Sequence, residues 1–240
     1  MGDGRLVENP LIILSFNELL YLSLMDTKNL PVLDAAQIRV LGALMEKCKT
    51  TPDYYPMTLN GLAAACNQKT SRKPVVQYDD STITTALNAL KIAGLISTAT
   101  GGSIRNIKYK HNFAIVFPLL PSEVAVMCLL FLRGPQTPGE INTNSGRLYE
   151  FETLEEVQQV LEKLANEEPA YIKQLPRKPG QKEQRYIHLF AGDIETFEEE
   201  YVADESPKST SDLEERLTKV EEELAELKEN LSKLMTELGV

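Results

Sequence analysis

Only two histidines, His111 and His188, occur in 240 residues. They stand in Lys-His-Asn and Ile-His-Leu contexts. Catalysis needs acid, base or nucleophile groups that converge on one point. Neither histidine is accompanied by a Gly-rich phosphate loop, metal-ligand spacing or a nucleophile elbow. The cysteines, Cys48, Cys66 and Cys128, are odd in number and form no CxxC pair. That pattern points to reduced thiols in a cytoplasmic protein, and away from a disulfide framework or a zinc site. The chain is therefore expected to bind rather than catalyse. No catalytic, cofactor-binding or metal-ligating residue is assigned.

Residues suited to binding cluster between 67 and 110. The loop Asn67-Gln68-Lys69-Thr70-Ser71-Arg72-Lys73-Pro74 offers three cations to phosphates and four neutral hydrogen-bonding side chains. A helix follows, and its outward face should carry Ser81, Thr84, Thr85 and Asn88. An Asn at such a place can pair with adenine, and Thr methyl groups can meet thymine. Arg105, Lys108 and Lys110 follow on a hairpin, placed to reach a phosphate backbone or minor groove. A second hairpin carries Lys173, Arg177, Lys178, Lys182 and Arg185 against Glu183. Two features oppose this reading. Asp79 and Asp80 open the helix, where they suit its dipole but repel phosphate. The helix also has a single cation, Lys91. The alternative is that the 67–74 loop is structural, with Asn and Ser closing turns through the backbone.

The elements that must position these residues follow from apolar spacing. Asp34 caps a helix with Ile38, Leu41, Leu44 and Met45 on one face. Pro52 and Pro56 bracket a break around Tyr54 and Tyr55, which is read as a packed loop anchor. A short helix spans Leu59–Cys66. A third runs from about Asp80 to Ala93 and stops at Gly94, with Ile83, Leu87 and Leu90 buried. Leu95–Thr98, a Gly101-Gly102 turn and Ile104–Tyr109 read as a β-hairpin. Three helices and a hairpin is winged-helix order, of the helix-turn-helix class. The order recurs about 80 residues on. Pro121–Arg133, Pro138 to about Asn142 and Leu154–Asn166 are helical. Tyr171–Leu175 and Arg185–Phe190 form a second hairpin. Between the copies, Phe113–Leu120 (FAIVFPLL) is expected to pack between them and fix their angle.

Charge divides the chain into unequal parts. The formal net charge is -10, yet residues 34–112 carry 10 Lys/Arg against 5 Asp/Glu. Residues 113–191 carry 8 against 10, and residues 192–240 carry 5 against 16. An acidic tail thus hides a basic first repeat, and a binding face is judged domain by domain. The organisation expected is an extension at 1–32, winged-helix domains at 33–112 and 113–191, an acidic linker at 192–211 and a coiled coil at 212–239. In that last segment Leu213, Leu217, Val220, Leu224, Leu227, Leu231, Leu234 and Leu238 alternate spacings of four and three. This is a coiled-coil seam. With Leu217 at position a, Arg216 faces Glu221 and Glu223 faces Lys228 in a parallel homodimer. Leu at successive a positions also admits trimers and tetramers. The apolar stretch Leu11–Leu24 is interrupted by Ser15, Asn17 and Glu18 and is too short to span a bilayer. It has no cleavage site. Met25 reads as a plausible native start, with residues 1–24 an upstream extension.

From Leu33 to Leu189 the chain resembles the YceH family of bacterial proteins, also called UPF0502 or DUF480. The residues that carry the likeness are RVLGALMEK (Arg39–Lys47), TTPDYYPMTLNGLAAACNQKTSRKPV (Thr50–Val75), RGPQTPGEI (Arg133–Ile141), RLYEF (Arg147–Phe151) and LPRKPGQKEQRYIHLF (Leu175–Phe190). The resemblance implies an α+β, mainly helical fold of two tandem winged helices, plus a C-terminal coiled-coil helix outside the family core. It implies no known activity, though the family is usually guessed to be regulatory.

Three functions compete. The first is a DNA-binding regulator that holds double-stranded DNA with its basic first domain and self-associates through the coiled coil. On that reading Lys69, Arg72 and Lys73 each set about one unit of the slope of log K against log salt. The second is a protein–protein adaptor, of the kind that serves chromosome-organising complexes. The third is an enzyme whose carboxylates only the fold would assemble. No small-molecule cavity is read from the sequence, and no membrane contact is expected.

Overall fold

The computed structural model of the chain describes residues 30–99, 107–177 and 183–192. They form a mixed α+β structure with seven α-helices and two small antiparallel sheets. The coiled coil expected at 212–239, the acidic linker expected beyond residue 192, the extension before residue 30, Arg105, Lys178 and Lys182 lie outside the described residues.

The first repeat starts with α1 (Ala35–Thr50), whose N-cap Asp34 accepts from the Gln37 amide at 2.8 Å. A 3₁₀ turn (Pro52–Tyr54) and a two-residue strand β1 (Met57–Thr58) lead into α2 (Leu59–Cys66). Then come α3 (Asp80–Ile92), β2 (Ile96–Ala99) and β3 (Lys108–His111). Thr58 caps α2 and Asp79 caps α3, each through a side-chain oxygen. Gly94 has φ 72°, a conformation that costs glycine nothing, and it ends α3 as expected. The hairpin is shifted towards the C-terminus relative to its sequence reading. His111 pairs with Ile96 and Lys108 with Ala99. Strand β1 was not expected: Met57 pairs with Tyr109, completing a three-stranded sheet in the order β1-β3-β2.

The second repeat follows the same plan. A one-turn helix α4 (Phe113–Val116) crosses into α5 (Pro121–Arg133), α6 (Pro138–Ser145) and α7 (Leu154–Asn166). Strands β4 (Ile172–Gln174) and β5 (Tyr186–His188) pair antiparallel, Ile172 to His188 and Gln174 to Tyr186. An isolated bridge from Gln136 to Tyr186 stands where β1 stands in the first repeat, just ahead of the second helix. Thr137 and Thr153 cap α6 and α7. Helix α5 lacks such a residue. Instead Pro121 opens it, and the Glu123 carboxylate accepts the Leu120 amide at 2.7 Å. That carboxylate is buried and also receives Lys163 of α7 at 2.5 Å.

The two repeats share one hydrophobic core. Helices α1 and α5, the first of each repeat, pack against each other, α1 buried over Ile38–Met45 and α5 over most of its length. Gly42 makes that approach possible. A β-carbon there would stand 3.0 Å from Leu132 and from the β-carbon of Phe131. Phe113 of the connector is fully buried, its ring 5.5 Å from Phe131 and 5.5 Å from Phe190. The connector therefore packs into the junction at Phe113, while Ile115 and Leu120 are exposed. The Leu33 amide donates to the Phe190 carbonyl at 2.7 Å, tying the start of the first repeat to the end of the second. Among the described residues no helix is long and apolar enough to cross a membrane.

Candidate nucleic-acid interface

Helix α3 buries Ile83, Ala86, Leu87 and Leu90. The helical period then turns Ser81, Thr84, Thr85 and Asn88 to the opposite side, and all four are exposed, followed by Lys91 and Ile92. The structure thus brings the sequence-assigned helix residues together on one open stripe. Their hydroxyl protons are already spent. Thr84 donates to the Asp80 carbonyl at 2.7 Å, Thr85 to the Ser81 carbonyl at 2.9 Å, and Ser81 to Asp79 at 3.0 Å. What they can offer an outside partner is oxygen lone pairs and methyl groups. The Asn88 side chain makes no hydrogen bond with any described residue, so its amide can both donate and accept.

Asp79 is fully exposed, and its carboxyl is held below the usual range by hydrogen bonds from the Thr82 hydroxyl, the Thr82 amide and Ser81. It is therefore charged at neutral pH. The tip of α3 repels phosphate, and only the middle of the helix is open to an anionic partner.

The loop that leads into α3 departs from the sequence reading. Arg72 does not face solvent. Its side chain is buried, with Nη1 3.1 Å from Glu46 Oε1 and Nη2 2.6 Å from Glu46 Oε2. Nε and Nη2 also donate to the Ala65 carbonyl at 3.2 and 2.9 Å. Arg39 does the same for the neighbouring Cys66 carbonyl at 3.3 Å, and also reaches the Pro74 carbonyl at 2.7 Å. Two guanidiniums thus satisfy carbonyls left open at the C-terminal end of α2 and complement its dipole. Arg72 is consequently withdrawn from the phosphate-contacting set: the loop folds around it. Asn67 is likewise committed, its amide and carbonyl exchanging 2.8 Å hydrogen bonds with the Tyr78 backbone and closing the loop. Ser71 sits at φ 60° and accepts from Arg133 at 3.0 Å. Gln68 accepts from Lys47 at 3.3 Å. The Lys73 amide donates to the Leu132 carbonyl at 2.9 Å, pinning the loop to the end of α5. Lys69 and Thr70 stay exposed.

The hairpins divide similarly. Lys110 on β3 is exposed and Lys108 half-buried. Lys173 and Arg177 are exposed. Arg185 is withdrawn as a phosphate contact. Its guanidinium forks onto Glu140 at 2.8 and 2.9 Å and donates to the Pro135 carbonyl at 2.9 Å, locking β5 to the start of α6. The tyrosine pair is split: Tyr55 accepts the His111 amide at 2.7 Å, while Tyr54 is exposed. The solvent face of α7 carries Glu155 and Glu162, with Glu152 ahead of it and Glu167 after it. The helix corresponding to α3 is therefore acidic in the second repeat.

Both histidines are inward-facing. Burial pushes His188 down to about 4, and burial with the nearby Lys49 charge does the same for His111. His188 packs edge-on against Phe131 at 4.9 Å. Burial raises the Cys66 thiol to about 12 and the Cys128 thiol further. No group of three or more His, Cys, Asp or Glu among the described residues is placed to hold a metal.

Sequence reasoning passed over Lys47, Arg133 and Arg147, which line a cleft between the repeats. They lie 86 and 14 residues apart in the chain, and no local pattern links them.

Residues 33–181 match the family described as "Protein of unknown function, DUF480". A "UPF0502 protein" of Solibacter usitatus is 53% identical over 167 residues, covering 70% of this chain and 80% of the relative. One of Opitutus terrae is 48% identical over 166 residues, covering 69% and 72%. One of Geobacter metallireducens is 46% identical over 172 residues, covering 72% and 78%.

Proposed function

The chain belongs to the DUF480 (UPF0502) family, and from that premise we propose that it is a DNA-binding regulator whose repeats are winged helices, with the first repeat leading. The observation that carries this reading is the open stripe of Ser81, Thr84, Thr85 and Asn88 on α3, which no other part of the described structure covers. In a winged helix this is the third helix, the one that enters the major groove. Because the hydroxyls donate internally, the stripe suits base edges better than phosphates. It offers methyl groups to thymine, lone pairs to the amino groups of adenine or cytosine, and the Asn88 amide to adenine. On this reading phosphate contact falls to Lys69, Lys91, Lys108 and Lys110 of the same repeat. The heptad from Leu213 to Leu238 supports self-association, which would present two such faces to DNA. A cytoplasmic location accords with this role.

The test is fluorescence anisotropy of a labelled random-sequence duplex with the full chain across a salt series. Affinity should fall with salt, and Lys69→Ala and Lys110→Ala should each flatten the log–log slope by about 0.9. Absence of binding at low salt would overturn the reading.

A protein-binding adaptor is the second reading, favoured by the acidic face of α7. It predicts one stoichiometric partner that survives nuclease treatment and is lost on reversing the charges of Glu155 and Glu162.

A further inference from the structure

A cleft of about 260 Å³ opens between the two repeats. Its walls come from the end of α1, the 67–71 part of the loop, the end of α5, and α6 with the residues just after it. Three cations line it: Lys47, Arg133 and Arg147. The one acid among them, Glu46, is neutralised from behind, since both its oxygens are held by the buried Arg72. Burial pushes the Glu46 carboxyl up, but the hydrogen bond and charge of Arg72, aided by Lys47, outweigh this and hold it below the usual range. It remains an anion already matched by its own cation.

Lys47 also reaches the Glu46 carboxylate at 3.2 Å and Gln68 at 3.3 Å, whereas neither arginine of the cleft has a carboxylate bonded to it. Arg133 is half-buried, yet its one partner among the described residues is the neutral Ser71 hydroxyl. Burial and the adjacent Arg72 charge both press on its protonated form, and only Glu46 offsets them. The Arg147 side chain is exposed and makes no hydrogen bond or ion pair with any described residue. A partly desolvated guanidinium without a carboxylate, as at Arg133, is unfavourable to leave alone. Its planar donors fit an oxyanion with two parallel hydrogen bonds. Around these cations, Thr70 and Asn144 add neutral polar groups to the wall. The volume lies just below the range of about 300–1,000 Å³ typical of small-molecule sites.

We infer that this cleft binds a small oxyanion, a phosphate- or carboxylate-bearing metabolite, clamped between Arg133 of the first wall and Arg147 of the second, with Lys47 at its side. Such an occupant bridges the two repeats through Lys47 of the first and the two arginines of the second, and braces Ser71, the partner of Arg133, at the base of the loop that carries Lys69. The inference is independent of the DNA reading, because anion binding and duplex binding are measured separately.

The experiment is isothermal titration calorimetry of the full chain with inorganic phosphate, pyrophosphate and citrate, each at constant ionic strength. At least one should bind saturably with Kd of about 1 mM or tighter. Arg147→Ala, an exposed change that leaves the core untouched, should weaken it by about tenfold or more. Arg133→Gln should do the same. Whether phosphate or citrate binds more tightly distinguishes the two sources of the oxyanion. Absence of saturable binding by all three probes would overturn the inference. So would binding that survives both substitutions, or a loss confined to duplex affinity, which would make the cleft part of a DNA surface instead.

Discussion

Arg72 and Glu46 meet in a two-point ion pair, 3.1 and 2.6 Å long, that fastens the loop ahead of α3 to the first helix of the fold. Removing one partner of a buried pair strands the other. Arg72→Ala is expected to cost about 3–5 kcal/mol of stability in urea unfolding. Lys69→Ala, at an exposed position, should leave stability within about 0.5 kcal/mol. Equal effects of the two substitutions would show that Arg72 is not a structural residue.

Acid should weaken the fold from about pH 6.5 downwards. The folded pKa of His188 is about 4, whereas an unfolded histidine takes up its proton near 6.5. Between those values the unfolded chain binds more protons, so stability is full above about pH 7 and is lost as pH falls towards 4. At about 1.4 kcal/mol per pH unit, His188 alone accounts for at most about 3 kcal/mol. His111 acts in the same direction. Glu46, held below its ordinary range, adds a further loss at still lower pH. Unfolding free energy measured from pH 7.5 to 4.5 should fall, and His188→Gln should flatten the curve. An unchanged slope in that variant would remove His188 as the cause.

Helices α1 and α5 touch at Gly42, where even a β-carbon meets side-chain atoms at 3.0 Å. Gly42→Val should therefore lose about 1–3 kcal/mol by overpacking. Gly42→Ala should change stability by less, because a helix-propensity gain of about 1 kcal/mol opposes the clash. Thermal melting compares the two, and a Val variant as stable as the wild type would mean that the helices can part without loss.

Asn88 and Lys110 should behave differently on DNA. If Asn88 reads a base, Asn88→Ala should cost about 1–3 kcal/mol on a selected site and little on random duplex. Lys110→Ala should weaken both alike. Selection from a random-sequence library followed by anisotropy measures each arm, and equal losses for the two variants would deny base reading by α3.

Much of this architecture was legible in the sequence, for identifiable reasons. Helices α2, α5 and α7 fall where apolar spacing and, for α5, Pro121 put them, because those signals are local. Strand β1 escaped because two residues, Met57 and Thr58, hold no periodicity, and only pairing with β3 makes them a strand. The loop from Asn67 to Pro74 was the harder problem. Its Lys69 and Arg72 look alike as cations, and what separates them is Glu46, a partner 26 positions upstream of Arg72. Arg185 and Glu140 pose the same problem at 45 positions. Charge is written in the sequence, whereas its neutralisation by a distant partner is written only in the fold.

The Leu33–Phe190 main-chain bond has a consequence for how this unit can be assembled. Its two ends sit side by side, joined across one hydrogen bond. A short bridge between them, with a new opening cut in the hairpin between β4 and β5, would yield a circular permutant. Adjacent termini of this kind are where permutation succeeds. Strand β5 would then leave the ribosome first instead of last, and a permutant that folds would show that its place in the chain is incidental to the shape reached.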